Sequence, residues 1–282
     1  MPFSNWEHNM PKLDPKQPEF VLITSNYEKK PVMEHSLVHF YQFTTESDIL
    51  QVIPDACVDV LFWKKDGKIN TKIAGSFFKK GQSNAELGSE YFGVRFMPGV
   101  NPANGVAKLS ELMNHEESFE EMITSNEEKE RLLEGIYFSN SFEDKISIFM
   151  NYYKNCYDMH MEDKSSLKYI LRNEIMHANG DFKLTDLSTL TGYSERYLNK
   201  KINEEFGMSP KNLIKIIRFQ KTISNLTKTI DDINCTDTAL GFGYYDQSHF
   251  NKEFKKFTGL TPTHYAENLL SNSYVKKLHI LY

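Results

Sequence analysis

The sequence predicts an α+β protein with a β-barrel or sandwich-like front domain, trailing helices, and then an all-α domain of seven helices. Short segments rich in β-branched and aromatic residues, separated by turn signals, occupy the stretch from Phe20 to about Val100. Apolar residues at helical spacing dominate from there on. The C-terminal third repeats one pattern twice: a short helix, a tight turn, and a second helix with a polar outer face. This repeat indicates two helix-turn-helix units.

Length and composition allow two domains with cores of their own. The chain has 282 residues, 40% of them hydrophobic, including 20 Phe and 15 Tyr. No apolar run approaches the roughly 18 residues of a membrane span, and the first residues lack the pattern of a secretion signal. The cysteines, Cys57, Cys156 and Cys235, are far apart. We therefore expect a cytoplasmic protein with no membrane contact, disulfide, bound metal or cofactor.

The front domain is assigned to residues 19–160, after an irregular, proline-rich lead-in over 1–18. Its β-rich part extends to about residue 100. The predicted strands are Phe20–Ile23, Ile49–Ile53, Val58–Trp63 and Tyr91–Phe96. Asp66-Gly67 marks a hairpin turn within 65–68. The stretch 35–41 fits either a strand or a helix.

Helices are predicted to complete the front domain. Short ones are expected over 108–113 and 119–123, and longer ones over 127–138 and 142–159. The helix over 142–159 has a continuous apolar face, made of Ile146, Phe149, Met150, Tyr153 and Tyr157. A polar linker over 161–166 is the expected domain boundary.

The helical domain is assigned to residues 167–270, followed by a tail over 271–282. Its predicted helices are 167–178, 184–190, 195–206, 210–226, one capped by Thr236, one capped by Asp246, and 262–265. Gly192 suits the tight turn of the first unit, and Ser194 can cap the helix after it. Pro210 is tolerated at the first position of the fourth helix. That helix is long enough to act as a strut between the two units.

Residues 167–266 resemble the AraC/XylS type of bacterial transcription regulator. The matching segments are Leu184-Thr185-Asp186-Leu187, Gly192-Tyr193-Ser194, Leu198, Phe206-Gly207-Met208-Ser209-Pro210, 239–244, Asp246-Gln247-Ser248-His249-Phe250, Phe254-Lys255 and 259–265. The sequence departs from that pattern at Ile202, where Phe is common, and at Asn203, where a basic residue is common. More loosely, 53–62 and 93–99 resemble an N-terminal sensor or dimerisation module found in some of these regulators.

The resemblance implies that double-stranded DNA is the partner, with RNA polymerase added if the protein is an activator, and that the protein is nucleoid-associated. It places base contacts in the first unit at Arg196, Asn199 and Lys200. In the second unit it places them at Gln247, Ser248, Asn251 and Lys252. These residue types can donate to or accept from base edges in the major groove. Expected phosphate contacts are Lys201, Lys211, His249, Lys255 and Lys256.

The charge distribution is compatible with this partner. The whole chain carries a net charge of −5, but residues 166–268 hold fourteen Lys and Arg against twelve Asp and Glu. That segment is therefore at +2 and the remainder at −7. A surplus this small means that DNA affinity must come from where the charges lie, not from their number.

In the front domain the candidate effector pocket consists of Tyr41, Asp55, Asp59, Trp63, Arg95 and Phe96. The same residues also fit ordinary structural roles in a turn, an ion pair and a core. Cys57 lies in an apolar strand and is interpreted as a small buried hydrophobe. His35 and His39 would share a metal only on a helix, and the surrounding residues favour a strand.

Three function classes follow. The first is a regulator whose front domain senses a small effector. The second keeps the DNA-binding role but uses the front domain, or the helix 142–159, for homodimer formation or protein docking. The third is an enzyme with a DNA-binding tail; because no nucleophile elbow, phosphate loop or paired catalytic carboxylates are present, we expect a protein that is not an enzyme.

Overall fold

The computed structural model describes residues 15–32, 36–103, 105–156, 165–178, 180–228 and 246–281. It confirms the α+β class, with a sheet-rich front domain and a helical domain after it. None of the helices in these ranges is long and apolar enough to cross a membrane. The predicted helix from Thr236 and the interpretations of His35 and Tyr157 lie outside the described residues.

The front domain is built on a seven-stranded sheet with a separate two-stranded sheet. The strands are β1 (Thr24–Pro31), β2 (Leu37–Thr45), β3 (Ile49–Val52), β4 (Val58–Lys65), β5 (Lys68–Gly75), β6 (Gly81–Asn84), β7 (Glu90–Phe96), β8 (Glu116–Glu117) and β9 (Leu278–Ile280). The order in the large sheet is β8-β5-β4-β7-β2-β1-β9, and β3 pairs with β6. Asp66 and Gly67 both have positive φ, as the predicted hairpin turn requires.

Side chains alternate between the two faces of the large sheet. One face carries Phe40, Phe62 and Phe96, whose rings lie 6.0 to 6.3 Å from that of Phe149. Phe149 belongs to the helix that closes this side of the sheet and is fully buried. The opposite face carries the polar pair Asp59 and Arg95, which are cross-strand partners.

The helices agree with most of the predicted ones. They are α1 (Pro18–Leu22), α2 (Leu109–Leu112), α3 (Asn126–Phe138), α4 (Phe142–Cys156), α5 (Leu167–His177), α6 (Leu184–Thr191), α7 (Glu195–Phe206), α8 (Pro210–Lys228), α9 (Gln247–Thr258), α10 (Pro262–Ser271) and α11 (Tyr274–Lys277). A 3-10 helix covers Phe119–Met122. The last predicted helix, 262–265, continues to Ser271.

One element was predicted wrongly. The stretch Phe20–Ile23 was expected to be a strand, but it lies mostly in α1, and β1 begins only at Thr24. Pro18 occupies the first turn of the helix, where its missing N–H costs nothing. A four-residue apolar run does not by itself distinguish a strand from one turn of buried helix.

The apolar face of α4 is covered by the chain itself. Phe149 and Tyr153 are buried on it, and the Tyr153 ring lies 5.6 Å from that of Phe96 in the sheet. The face proposed for contact with a second copy is therefore occupied by the front sheet over the described part of the helix.

The helical domain packs directly on the front domain. The C-terminal end of α7 meets α2, and a Cβ on Gly207 would lie 2.7 Å from the carbonyl carbon of Leu109. The expected tail over 271–282 forms α11 and β9, and β9 pairs in parallel with β1 at the edge of the front sheet. The two domains are therefore in direct contact, and the C-terminal tail also pairs with the front sheet.

Candidate nucleic-acid interface

The first helix-turn-helix unit is formed by α6, a three-residue turn and α7. Gly192 ends α6 with φ of +74°, a conformation that suits glycine. Ser194 caps α7 by accepting a hydrogen bond from the Tyr197 amide at 3.3 Å. The Ser188 hydroxyl donates to the Tyr193 carbonyl at 2.6 Å, which ties the turn to the helix before it. Local hydrogen bonds thus fix the start of α7, as the sequence predicted.

The two faces of α7 differ in kind. Leu198, Ile202 and Phe206 are buried and hold the helix to the domain. Arg196, Asn199 and Lys200 are exposed on the outer side, where they share one face at helical spacing. Together with Leu184 and Glu195 they line a shallow open groove. The structure thus brings the three expected base contacts of this unit together on one surface.

Neighbouring side chains already engage part of that surface. Glu204 lies 2.9 Å from Lys201 and 3.7 Å from Lys200. The hydrogen bond between Lys201 and Glu204 raises the pKa of Lys201 and lowers the pKa of Glu204. Asn203 donates to the Asn199 side-chain oxygen at 2.9 Å. Asn199 therefore has an intrahelical partner, and the charge of Lys201 is partly offset.

In the second unit the structure describes the outer helix, α9. Asp246 caps it by accepting from the His249 amide at 2.7 Å, as predicted. The expected base contacts of this helix are all exposed: Gln247, Ser248, Asn251 and Lys252. Its inner face is buried and aromatic: Phe250, Phe254 and Phe257. Residues 229–245, which include the predicted helix from Thr236 and the turn after it, lie outside the described residues.

The long helix α8 connects the two units. Its 19 residues span about 28 Å at 1.5 Å each. Phe219 in its middle lies 5.5 Å from Phe254 and 4.8 Å from Phe257, between ring centroids. Lys215 pairs with the buried Glu253 of α9 at 2.8 Å. This ion pair was not predicted, because nothing in the sequence signals which lysine of α8 faces α9.

The expected phosphate contacts lie mostly at the surface. Lys211 is exposed in the first turn of α8, and His249, Lys255 and Lys256 are exposed on α9. Lys201 is half-buried. Lysines in the last turn of α9 also oppose the partial negative charge of that helix end.

Four of the six candidate pocket residues form one buried polar cluster. The Tyr41 hydroxyl donates to Asp59 at 2.9 Å. Arg95 donates twice to Asp59, at 2.9 and 2.8 Å, and lies 3.3 Å from Asp55. Gln17, which the sequence did not point to, donates to Asp55 at 2.8 Å. The two hydrogen bonds from Arg95 to Asp59 form a bidentate pair, which is among the stronger polar contacts in proteins.

The environment shifts the pKa values within this cluster. Burial raises the pKa of Asp59, and Arg95 opposes that rise. Burial and the charge of Asp59 raise the pKa of Tyr41 well above its usual value. Burial disfavours the charge of Arg95, but Asp59 and Asp55 together raise its pKa well above the ordinary range. The arrangement therefore keeps a charged arginine inside the front domain.

The other two candidate pocket residues lie elsewhere. Trp63 stacks on Tyr91 with ring centroids 5.1 Å apart. Phe96 is adjacent to Arg95 in sequence, so it points to the opposite face of the sheet and packs beside Tyr153. Neither lines the cavity beside Arg95. Their assignment to the pocket is corrected accordingly.

The cavity beside this cluster is small. Its volume is about 40 Å³, and its wall includes Asp55, Asp59, Arg95 and Glu116. Pockets for drug-sized ligands typically measure roughly 300–1,000 Å³. Cys57 also borders the cavity and is buried, as expected.

His39 is buried on the same face as Tyr41, with the two rings 5.5 Å apart. Burial, then the charges of Lys29 and Arg95, lower its pKa well below the usual value. Within the described ranges no group of three or more His, Cys, Asp or Glu is placed to hold a metal ion.

Comparison with known proteins supports the helix-turn-helix assignment. Residues 187–268 match a family described as a helix-turn-helix domain. An uncharacterised HTH-type transcriptional regulator of Staphylococcus aureus strain MSSA476 is 34% identical over 90 residues, which are 32% of this chain and 12% of that protein. The chain thus spans about one eighth of the length of this staphylococcal relative. The HTH-type transcriptional regulator MtrA of Neisseria gonorrhoeae is 25% identical over 101 residues, 36% of this chain and 33% of MtrA.

A solved structure of similar extent is also known. A crystal structure of ToxT from Vibrio cholerae aligns over 81% of this chain and 97% of ToxT, with 12% identity and a TM-score of 0.42. Residues 187–268 match a helix-turn-helix domain, so the helix-turn-helix assignment of this part of the chain is confirmed.

Proposed function

We propose that this protein is a sequence-specific DNA-binding transcription regulator that reads two neighbouring major-groove segments with α7 and α9. One observation carries the proposal. Each helix is capped at its start, buried along an apolar inner face, and exposed along an outer face made of side chains that suit base contact. Both are attached to the same strut, α8. The seven residues proposed to contact bases are Arg196, Asn199, Lys200, Gln247, Ser248, Asn251 and Lys252.

The chemistry of these side chains supports base contact. Arg and Lys donate to guanine O6 and N7, and Asn and Gln pair with adenine N6 and N7. Asn199 keeps its amide N–H₂ for such a contact, because only its oxygen is used by Asn203 in the fold. Lys211, His249, Lys255 and Lys256 are proposed to contact phosphates, which set position without selecting sequence.

Selection of bound duplexes from a random pool tests this function. We expect an asymmetric site for each monomer, with two short boxes about one helical turn apart. Footprinting on the selected duplex should show both boxes protected by one protein molecule. Recovery of no common sequence, or protection of a single box per monomer, would contradict the proposal.

For the front domain, the small cavity favours a role through protein contact over a preformed pocket for a large effector. The buried cluster around Arg95 is fully engaged with Asp59, Asp55 and Tyr41, and a space of about 40 Å³ holds only one or a few water molecules. We propose that the front domain controls the helical domain through their shared interface. Thermal unfolding in the presence of small polar compounds tests the effector alternative; a saturable rise in Tm that Arg95→Met abolishes would favour it.

A further inference from the structure

A hydrogen bond connects α1, the first helix of the front domain, to α10, the helix that follows α9. The Tyr265 hydroxyl on α10 donates to Glu19 Oε2 on α1 at 2.9 Å, across 246 positions of sequence. Tyr265 is 2% exposed. Its ring also packs edge-on against Phe254 of α9, with centroids 5.3 Å apart. One side chain therefore contacts both the front domain and the back of the proposed recognition helix.

The Glu19 carboxyl group is incompletely satisfied. Glu19 as a whole residue is half-buried, but its Oε1 is enclosed and has no hydrogen-bond partner in the part of the chain that the structure describes. An enclosed carboxylate oxygen without a donor is costly when the group is ionised and much less so when it is neutral. The interface therefore discriminates between the two protonation states of this carboxyl group.

The titratable groups around the pair come from several elements. Lys80, which follows β5 and lies beside Gly259 at the end of α9, attracts the charge of Glu19. Tyr274 of α11 acts on Tyr265. Lys277 of α11 donates to the carbonyls of Leu22 and Thr24 at 2.7 and 3.2 Å, at the far end of α1. Among the described residues Lys80 is the cation that acts on Glu19, and it does not reach Oε1 with a hydrogen bond.

Burial raises the pKa of Glu19 to about 7, although its own backbone amide, Tyr265 and Lys80 each lower it. Burial and the proximity of Glu19 raise the pKa of Tyr265 well above its usual value, so the tyrosine remains neutral. Glu19 is consequently the member of the pair that exchanges a proton near neutral pH.

We propose that Glu19 and Tyr265 form a proton-dependent latch that holds the second helix-turn-helix unit against the front domain. The latch is closed when the Glu19 carboxyl is neutral and weakens when it ionises. Because Tyr265 supports Phe254, opening of the latch changes how firmly α9 is held relative to α7. This regulation goes beyond DNA binding itself, and it is measurable in the absence of DNA.

The direction of the pH effect follows from the raised pKa. Closure is most favourable below the usual glutamate pKa of about 4.5, where the carboxyl is neutral in both arrangements. It becomes less favourable as the pH rises from there to about 7, because the open arrangement releases a proton more readily. Over this range the ratio of closed to open protein falls by at most about tenfold per pH unit.

Hydrogen–deuterium exchange of the full chain without DNA, from pH 5.5 to 8 and corrected for intrinsic exchange rates, tests the latch. We expect peptides of α1 and α10 to lose protection as the pH rises, while peptides of β4 keep theirs. Glu19→Gln mimics the neutral carboxyl and should leave α1 and α10 protected throughout this range. Glu267→Gln is the matched control, because Glu267 is an exposed carboxylate on the same helix as Tyr265; it should retain the wild-type pH profile.

Tyr265→Phe supplies a second test that keeps the aromatic packing. Loss of the hydroxyl removes a hydrogen bond that lowers the pKa of Glu19, so the midpoint of the exchange profile should move to higher pH. If Glu19→Gln does not fold, this shift decides the question. A flat wild-type profile, an unchanged profile in Glu19→Gln, or an unmoved midpoint in Tyr265→Phe would each overturn the latch. A protein that binds no DNA but shows these profiles would refute only the proposed function.

Discussion

Lys215 on α8 lies 2.8 Å from Glu253 on α9, and the side chain of Glu253 is 4% exposed. The ion pair joins the strut to α9 on the side opposite the proposed DNA contacts. Lys215 contacts Glu253 Oε2, and Oε1 has no hydrogen-bond partner in the described residues, so this carboxylate depends on Lys215.

Replacement of Lys215 should therefore destabilise the helical domain. Lys215→Ala leaves an enclosed carboxylate unpaired, which should lower the free energy of unfolding by roughly 1–3 kcal/mol. Urea denaturation measures this loss. Lys221→Ala on the same helix serves as the control and should change stability by less than about 0.5 kcal/mol. Equal stability of the two variants would show that the ion pair contributes little.

The base-contact assignment predicts a difference between two kinds of substitution. Arg196→Ala or Gln247→Ala should each cost about 1–3 kcal/mol on the selected duplex and relax preference at particular base pairs. Lys255→Ala should weaken specific and scrambled duplexes by similar factors and flatten the salt dependence. Titrations on both duplexes separate the two effects. If Gln247→Ala weakens binding to the selected and the scrambled duplex by the same factor, Gln247 does not read bases.

Glu204 is predicted to restrain DNA binding by the first unit. Glu204→Gln removes the carboxylate that pairs with Lys200 and Lys201, and both lysines then become available to the duplex. Binding should tighten on every duplex, and the slope of log K against log salt should steepen by up to ~1 for each additional phosphate that a lysine neutralises. Glu134→Gln, an exposed change on α3, should have no such effect. Unchanged affinity in Glu204→Gln would place these lysines away from the DNA.

Two glycines permit a matched test of the domain interface. Gly192 and Gly207 both have positive φ, but a Cβ on Gly192 meets nothing within 4 Å, whereas one on Gly207 meets the Leu109 backbone at 2.7 Å. Gly192→Ala should cost roughly 1–2 kcal/mol from backbone strain alone. Gly207→Ala carries the same strain and must also push α7 away from α2, so it should lower the free energy of unfolding by more, as measured by thermal or urea unfolding. Equal decreases in the two variants would mean that the contact between α7 and α2 adjusts without an energetic penalty.

Local chemistry made much of the helical domain predictable from sequence. Ser194 and Asp246 cap the helices that they were expected to cap, and Gly192 has the positive φ expected of it. These features depend on residues within four positions of one another. The error at Phe20–Ile23 has the opposite cause, because the packing of distant elements decides between helix and strand for so short a run.

The structure places Asp59 and Arg95 side by side but puts Phe96 on the opposite face of the sheet. Asp59 and Arg95 are cross-strand partners, and register of this kind is not written in either strand alone. Arg95 and Phe96, however, are consecutive in one strand and had to face opposite sides. The contact of Glu19 with Tyr265 joins the domains across 246 positions of sequence and had no local signal.

The pairing of β9 with β1 has a consequence for biosynthesis. Leu278–Ile280, which follow the helical domain, lie beside Tyr27–Lys29, which precede nearly all of the sheet. During translation the backbone donors and acceptors on that side of β1 stay open until the whole helical domain has been made. An open strand edge invites pairing with other nascent chains. A segment that leaves the ribosome after both helix-turn-helix units thus closes the surface that the first strand exposes.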